Sequence, residues 1–336
     1  MTDIDRVLRS NLKLRHLQLL VALDEFRHLG RAAEFLSVTQ PAVSKMLVEI
    51  ERMFGLDLFH RSTRGTEPTA YGATVVRFAR SVLADYRRTR DEIDAVASGG
   101  MGRVSVGAMV VATPGLLMPA IDELKRRSAL TTVMVEEGDL TRLLPRLRVG
   151  EIDLIVGRLE PGYASPDLEA EALYAEPMCI VVSPGHPLAA EPRPDWAMLA
   201  QQPWVVPPPW ASSRVKLGQM FYKHRLVPPA DIVETASFLM TLSVVRQRPA
   251  VGFLALSVAR HFAREGLLAI LKVKVPIELP PVGIMTLRGR PPTPASELML
   301  DCLRSAAASR EAQRKTPPVR APGGSSGAGA RPRSAR

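Results

Sequence analysis

At 336 residues the chain is too long for one ordinary core, and two or three folded units are expected. Apolar residues make up 46% and charged residues 23%, which excludes a disordered or fibrous chain over most of the length. The net charge of +10 suggests nucleic acid, yet its placement weakens that reading, because residues 310–336 alone hold seven basic side chains against one acidic. No run of eighteen apolar residues occurs, and MTDIDRVLRS lacks the charged-then-apolar pattern of a signal peptide, so a cytoplasmic protein without membrane contact is expected. Cys179 and Cys302 lie far apart with no CxxC and no nearby histidine pair, so neither a disulfide, a metal site nor a cofactor is expected.

In chain order, residues 1–69 read as helices closed by one hairpin, because apolar residues recur at spacings of 3 and 4 until RSTRGTEPT interrupts them. Within them HLGRAAEFLSVTQPAVSKMLVEIERMFG meets the demands of a helix-turn-helix. Ala33 is the small residue where two helices touch, Ser37 holds the turn, and Val43 is the aliphatic plug, with Ala32, Leu36, Val38 and Met46 completing the inward set. Ser37 replaces the glycine often found there, so the turn must close in a conformation serine tolerates. Thr39 is placed to cap the second helix, and Pro41 fits a first turn, where an N–H has no intrahelical partner.

Along that second helix Val43, Leu47, Ile50 and Phe54 form the inward stripe, while Pro41, Lys45, Val48 and Arg52 face away. Gln40 and Ser44 carry the donors and acceptors that read base edges in a major groove, and Lys45 can reach guanine or a phosphate. Arg31, Ser37, Thr39 and Pro41 complete the expected DNA-contacting surface. A generic amphipathic hairpin would share the stripe, but not the match at every inward position. Arg61 and Arg64 sit on LFHRSTRGTEPTAYG, which reads as a wing able to lay guanidiniums along phosphates or in the minor groove. Alone, two arginines on a hairpin would be an ordinary solvated loop.

Residues 70–100 read as one long linker helix. Val75, Ala79, Val82, Tyr86, Thr89, Ile93 and Val96 alternate at 4 and 3, the spacing of a heptad seam, which points to dimerisation between two DNA-reading heads. Packing on its own domain is the competing use of that helix. Ser98, Gly99 and Gly100 mark a hinge. From 101 to 309 short runs with strand character (VSVGAM, TTVMVEE, IDLIVG, PMCIVVS, WVVP, DIVE, VGFLAL, VGIMTL) alternate with amphipathic stretches, the pattern of two α/β lobes with parallel strands. Residues 310–336, rich in Pro, Gly, Ser and Arg, are expected to be a disordered basic tail.

These residues resemble the LysR-type transcriptional regulator family. RAAEFLSVTQPAVSKMLVEIERMFGLDLFHRSTRG with Thr69 and Gly72 is similar to that family's winged helix-turn-helix, through RAA, TQPAVSK, I-E-x-x-x-G-x-x-L-F-x-R and the closing T-x-x-G. Departures are Thr39 where serine is common, Lys45 where arginine is common, and Thr66, Glu67 and Pro68 where an apolar strand usually returns. ETASFLMTLSVV and EIDLIVGRLEP are most similar to the subgroup regulating sugar or aromatic acid and sulfonate catabolism.

The resemblance implies an α+β chain: an all-α winged helix-turn-helix, a linker helix, and a two-lobed α/β effector domain of the type 2 periplasmic-binding-protein kind. Its implied partners are double-stranded promoter DNA, a small-molecule effector in the interlobe cleft, further copies of the chain as dimer or tetramer, and RNA polymerase. Strand ends supply cleft candidates Met109, Val110, Thr113, Asp139 and Thr141. Arg158 stands where the family often places an anion-binding arginine. Ser212, Ser213 and Arg214, then Ser237 and Phe238, open helices of the second lobe, and Phe253 adds an apolar wall. Helix capping explains Thr141, Ser213 and Ser237 equally well. Arginines among serines and apolar residues suggest a small organic anion.

Two other classes compete. An enzyme is disfavoured because no GxSxG, HExxH, phosphate loop or paired carboxylates occur, Cys179 lies in a strand-like run, and His186 lies in the turn SPGHP. A ligand-binding module that no longer reads DNA is disfavoured by the intact Gln40, Ser44, Lys45 and Arg64.

Overall fold

The computed structural model describes residues 4–62 and 65–315. A short turn α1 (Ile4–Arg6) and a wide helical turn over Val7–Asn11 lead into α2 (Leu14–Phe26), α3 (Leu29–Phe35) and α4 (Gln40–Phe54). Leu19, Leu20 and Leu23 of α2 pack against Ala32 and Ala33 of α3 and against Val43, Leu47, Ile50 and Phe54 of α4. The turn between α3 and α4 closes because Ser37 adopts a left-handed conformation at φ 56°. The N–H groups of Ser37 and Val38 donate to Glu34 O and Ala33 O, each at 3.0 Å. Val38 corrects the expected inward set: the reversal at Ser37 leaves it 42% exposed. Thr39 holds the N-cap position without a side-chain capping bond. Pro41, two residues on, has no N–H to offer it.

Both strands of the expected wing form. Strands β1 (Phe59–Ser62) and β2 (Gly65–Pro68) pair antiparallel with His60 opposite Glu67. Its far strand lacks an apolar run but is tied to the head, since Thr66 is buried and its N–H donates to Arg27 O at 2.8 Å. Helix α5 (Ala70–Ser98) follows, capped by Thr69, whose Oγ1 accepts from Gly72 N at 3.0 Å and donates to Asp57 O at 2.9 Å. A Cβ at Gly72 would stand 1.8 Å from Leu58 O, so only glycine lets α5 approach the wing this closely.

The heptad seam expected along α5 is divided. Its N-terminal half belongs to the head's own core, where Ala79 is buried beside Val76 and Leu83, with Val75 and Val82 half-buried. Tyr86, Ile93 and Val96 remain exposed, Val96 at 85%.

The first lobe takes β3 (Arg103–Ala108), α6 (Met118–Arg127), β4 (Thr132–Glu137), α7 (Leu140–Val149), β5 (Leu154–Arg158) and β6 (Leu168–Tyr174). The second takes β7 (Met178–Val182), α8 (Pro187–Ala190), α9 (Trp196–Ala200), β8 (Trp204–Val206), α10 (Ser212–Lys223), β9 (Ile232–Glu234), α11 (Phe238–Gln247), β10 (Val251–Ala255), α12 (Leu256–Arg264) and β11 (Ala269–Ile270). The chain then returns to the first lobe as β12 (Val282–Leu287) and α13 (Pro294–Lys315).

Sheet orders are β4-β3-β5-β12-β6 and β11-β7-β10-β8-β9. Neither is all parallel as expected. β12 runs antiparallel to β5 and β6, and β7 antiparallel to β10 and β11, because strands arriving after each crossover enter the sheet in the reverse sense. The first residues assigned to the tail are helical. Residues 310–315 continue α13, and 316–336 lie outside the described residues.

Candidate DNA interface and interlobe cleft

On the head, Arg31, Ser37, Thr39, Gln40, Pro41 and Lys45 are all exposed, as DNA contact requires. Ser44 is half-buried because the wing reaches it: Arg61 Nη1 donates to Ser44 Oγ at 3.3 Å. Arg64 lies outside the described residues. The sequence reading missed Glu51. Its Oε1 accepts from Leu58 N at 3.0 Å and Phe59 N at 3.1 Å, and its Oε2 pairs with Arg61 Nη2 at 3.3 Å. One carboxylate thus fastens the start of the wing to α4 and holds Arg61 beside Ser44. The glutamate of I-E-x-x-x-G carried that signal, without its partners. His16, fully buried in α2, accepts from Lys13 N at 3.2 Å through Nδ1, and burial lowers its pKa, which keeps the ring neutral inside the head.

In the cleft the candidates divide by what already occupies them. Asp139 caps α7, accepting from Arg142 N at 3.2 Å and from Thr141 Oγ1 at 2.5 Å. Ser237 caps α11 through Met240 N at 3.3 Å. Phe238 packs against Phe262 with the rings tilted and centroids 4.7 Å apart, and Phe253 is a core residue of the second lobe, which corrects its placement as a cleft wall. Met109 folds over Gly157, where a Cβ would meet its Sδ at 2.4 Å, and Val110 is half-buried in the turn after β3.

Arg158 is buried at the crossover. It donates to Pro280 O at 2.9 Å and Glu176 O at 3.1 Å, and burial lowers its pKa. Those donors fasten the hinge between the lobes.

Three polar groups remain notable. Ser212 Oγ donates across the cleft to Glu160 Oε1 at 2.7 Å, joining the two lobes. Ser213 beside it is half-buried at the start of α10. Arg214 lies 3.7 Å from Glu234, while its Nε is buried with no partner, as is Thr113 Oγ1. A buried donor without an acceptor is costly, and an anion placed there would satisfy it.

At the hinge, Glu176 is buried, accepts from Ser257 N at 2.8 Å, and pairs with Arg310, whose guanidinium stands 4.4 Å over the Tyr174 ring. A cavity of about 580 Å³ lies outside the cleft, between α5, β6, β12 and α13. Burial pushes the Cys179 thiol up to about 12, which suppresses its thiolate. Among the described residues no helix is long and apolar enough to cross a membrane.

A winged helix-turn-helix on a linker helix, followed by two hinged α/β lobes, defines a DNA-binding regulator with an appended ligand domain. The model of the LysR substrate binding domain matches residues 97–308, and that of the bacterial regulatory helix-turn-helix protein, lysR family, matches 14–73. The chain belongs to the LysR family of transcriptional regulators.

It is 34% identical to the HTH-type transcriptional regulator GbpR of Azospirillum brasilense over 302 residues, covering 89% of this chain and 88% of that protein. It is 30% identical to PcaQ of Agrobacterium fabrum, covering 89% and 96%. Among solved structures, full-length CbnR bound to its target DNA superposes with a TM-score of 0.68 at 20% identity, over 88% of this chain and all of that one. A full-length OxyR variant of Pseudomonas aeruginosa gives 0.60 at 25% identity, covering 88% and 98%. This chain is therefore a DNA-binding transcription regulator with a C-terminal effector-binding domain.

Proposed function

We propose that α4 reads an operator in the major groove through Gln40, Ser44 and Lys45, with Arg31, Ser37, Thr39 and Pro41 at the groove edge and the wing arginines Arg61 and Arg64 on the backbone. The observation that carries this is the Arg61–Ser44 contact, which presents wing and recognition helix as one surface. Two heads are joined through the exposed Tyr86, Ile93 and Val96, so that the operator has two half-sites. The protein acts in the cytoplasm, and RNA polymerase is its partner at the promoter.

The effector is a small organic anion bound between the lobes, met by Arg214 and Thr113 and by the loop at Asp139 and Thr141. It replaces the Ser212–Glu160 bridge and so favours one lobe arrangement over another.

Genome-wide binding with the wild type and with Gln40→Ala, Ser44→Ala and Lys45→Ala combined tests the reading. A sharp promoter peak lost in the variant supports it, and no enriched site for the wild type under several growth conditions overturns it. In follow-up assays at fixed salt, alanine at Gln40 or Ser44 relaxes sequence preference, whereas alanine at Arg61 or Arg64 weakens binding to all sequences alike.

A further inference from the structure

Arg80 lies half-buried in α5 and joins two other parts of the molecule. Its Nη2 donates to Asp24 Oδ2 of the head at 3.0 Å, and its Nη1 donates to Glu151 Oε1 of the first lobe at 3.0 Å. Burial opposes its charge, but the hydrogen bonds to Asp24 and Glu151 outweigh that, and its pKa is raised. From Glu151 the alternation of charge continues: Arg146 Nε meets Glu151 Oε2 at 2.9 Å, Arg146 also pairs with Glu136, and Arg142 Nε meets Glu136 Oε1 at 3.1 Å. Arg142 is the residue whose N–H caps onto Asp139. The series therefore runs from the reading head to the first turn of α7, where the cleft loop begins.

The chain leaves α5 through Gly99 and Gly102, both at positive φ; a side chain at Gly99 would meet nothing within 4 Å, whereas one at Gly102 would stand 3.1 Å from Asp91 O of α5. Two more ties hold α5 to the first lobe, Asp85 with Arg290 and Arg88 with Pro291 O, but the Arg80 tie also reaches the head.

We propose that Arg80 is a positioning residue that sets the reading head against the effector lobe through Asp24 and Glu151. A ligand-driven shift of α7 then changes how tightly the head is held and hence the spacing of two heads on DNA. This rests on the operator reading above, in which two heads meet two half-sites, and its ligand step on the reading in which the Asp139–Thr141 loop meets the effector. A head released from Arg80 must be ordered again when two half-sites are bound at once, but not when one is bound alone.

The test uses the full chain and duplexes it selects from a random library, each then cut to a single half-site, all at one salt concentration. Glu151→Gln, remote from DNA, is expected to weaken binding to the two-half-site duplex about five- to tenfold, the low end of couplings between distant sites. Half-site binding stays unchanged. Arg80→Gln behaves likewise, and the double variant is no weaker than Arg80→Gln alone, because both changes break one tie.

Equal loss on half and full sites marks a merely structural role and overturns the proposal, as do variants that bind like the wild type or effects that simply add. A wild type that enriches no duplex overturns the operator reading as well, which separates the two failures.

Discussion

The reading head and the effector domain contrast in how far apart in sequence their decisive contacts lie. In the head, Ala33, Ser37, Val43 and Gly72 act within a few dozen residues of their partners, Ser37 and Gly72 demanded by backbone geometry and Ala33 and Val43 by helix packing. In the effector domain the decisive contacts join residues far apart: Ser212 with Glu160, Glu176 with Arg310, Arg158 with Pro280. A local geometric demand leaves a motif, whereas a long-range polar contact leaves two ordinary residues far apart.

The sharpest attempt to break this contrast is Gly72→Ala, which sets a Cβ against Leu58 O. Main chain cannot yield as a side chain does, so the head is expected to lose about 3 kcal/mol, read as helix melting by circular dichroism. Gly185 has nothing within 4 Å of its would-be Cβ, and Gly185→Ala should change stability by less than about 0.5 kcal/mol. Equal effects would deny that close approach is what the head's glycine serves.

Next in size is the hinge. Glu176→Gln keeps an acceptor for Ser257 N but removes the charge facing Arg310, whose side chain is only 19% exposed. A cost of about 2–3 kcal/mol is expected, short of the full penalty for a wholly buried pair. All three tryptophans, Trp196, Trp204 and Trp210, lie in the second lobe, so their fluorescence in urea reports that lobe. Arg310→Gln should remove most of the cost when combined with Glu176→Gln, because no uncompensated charge remains. Full additivity would dissolve the pair.

The DNA face comes third. Gln40→Ala or Ser44→Ala should each lose about 1–3 kcal/mol of discrimination between a selected duplex and a single-base mismatch. Arg61→Ala should leave that ratio and lower both affinities. Glu51→Gln, which keeps the acceptor for Leu58 N and Phe59 N but not the charge on Arg61, should fall between them.

Much of the fold was legible. Eight strand-like runs all became strands, since β-branched residues flanked by Pro and Gly signal strand without knowledge of partners. Strand β6 escaped, although Leu168, Ala170, Ala172 and Tyr174 alternate, because small residues at an edge make a faint pattern. Sheet direction escaped because two crossovers reverse it, which no local run records. The seam on α5 was real as a stripe, but a stripe cannot say which of its halves packs on its own head. Arg80 was one arginine among several on that helix until Asp24 and Glu151 were brought to it. Arg158 was expected to hold an anion, and its donors instead hold main-chain carbonyls at the hinge.

The smallest effect at neutral pH is also the one that separates packing from hydrogen bonding at the hinge. The Tyr174 hydroxyl is buried without a partner, while the ring carries Arg310 on its face. Tyr174→Phe keeps the ring and removes only the orphan oxygen, so stability at pH 7 should rise by about 1 kcal/mol. Burial pushes the Tyr174 pKa up to about 12 from 10.0. Between those values the folded chain keeps a proton that the unfolded chain gives up, so this contribution is full below about pH 10 and is lost as pH rises to about 12. Cys179, also pushed up to about 12, adds a slope of the same sign. Tyr174→Phe should therefore flatten the alkaline loss of stability without abolishing it. A clear loss at pH 7 would mean that the hydroxyl has a partner in solution, and that the hinge is hydrogen-bonded there as well as stacked.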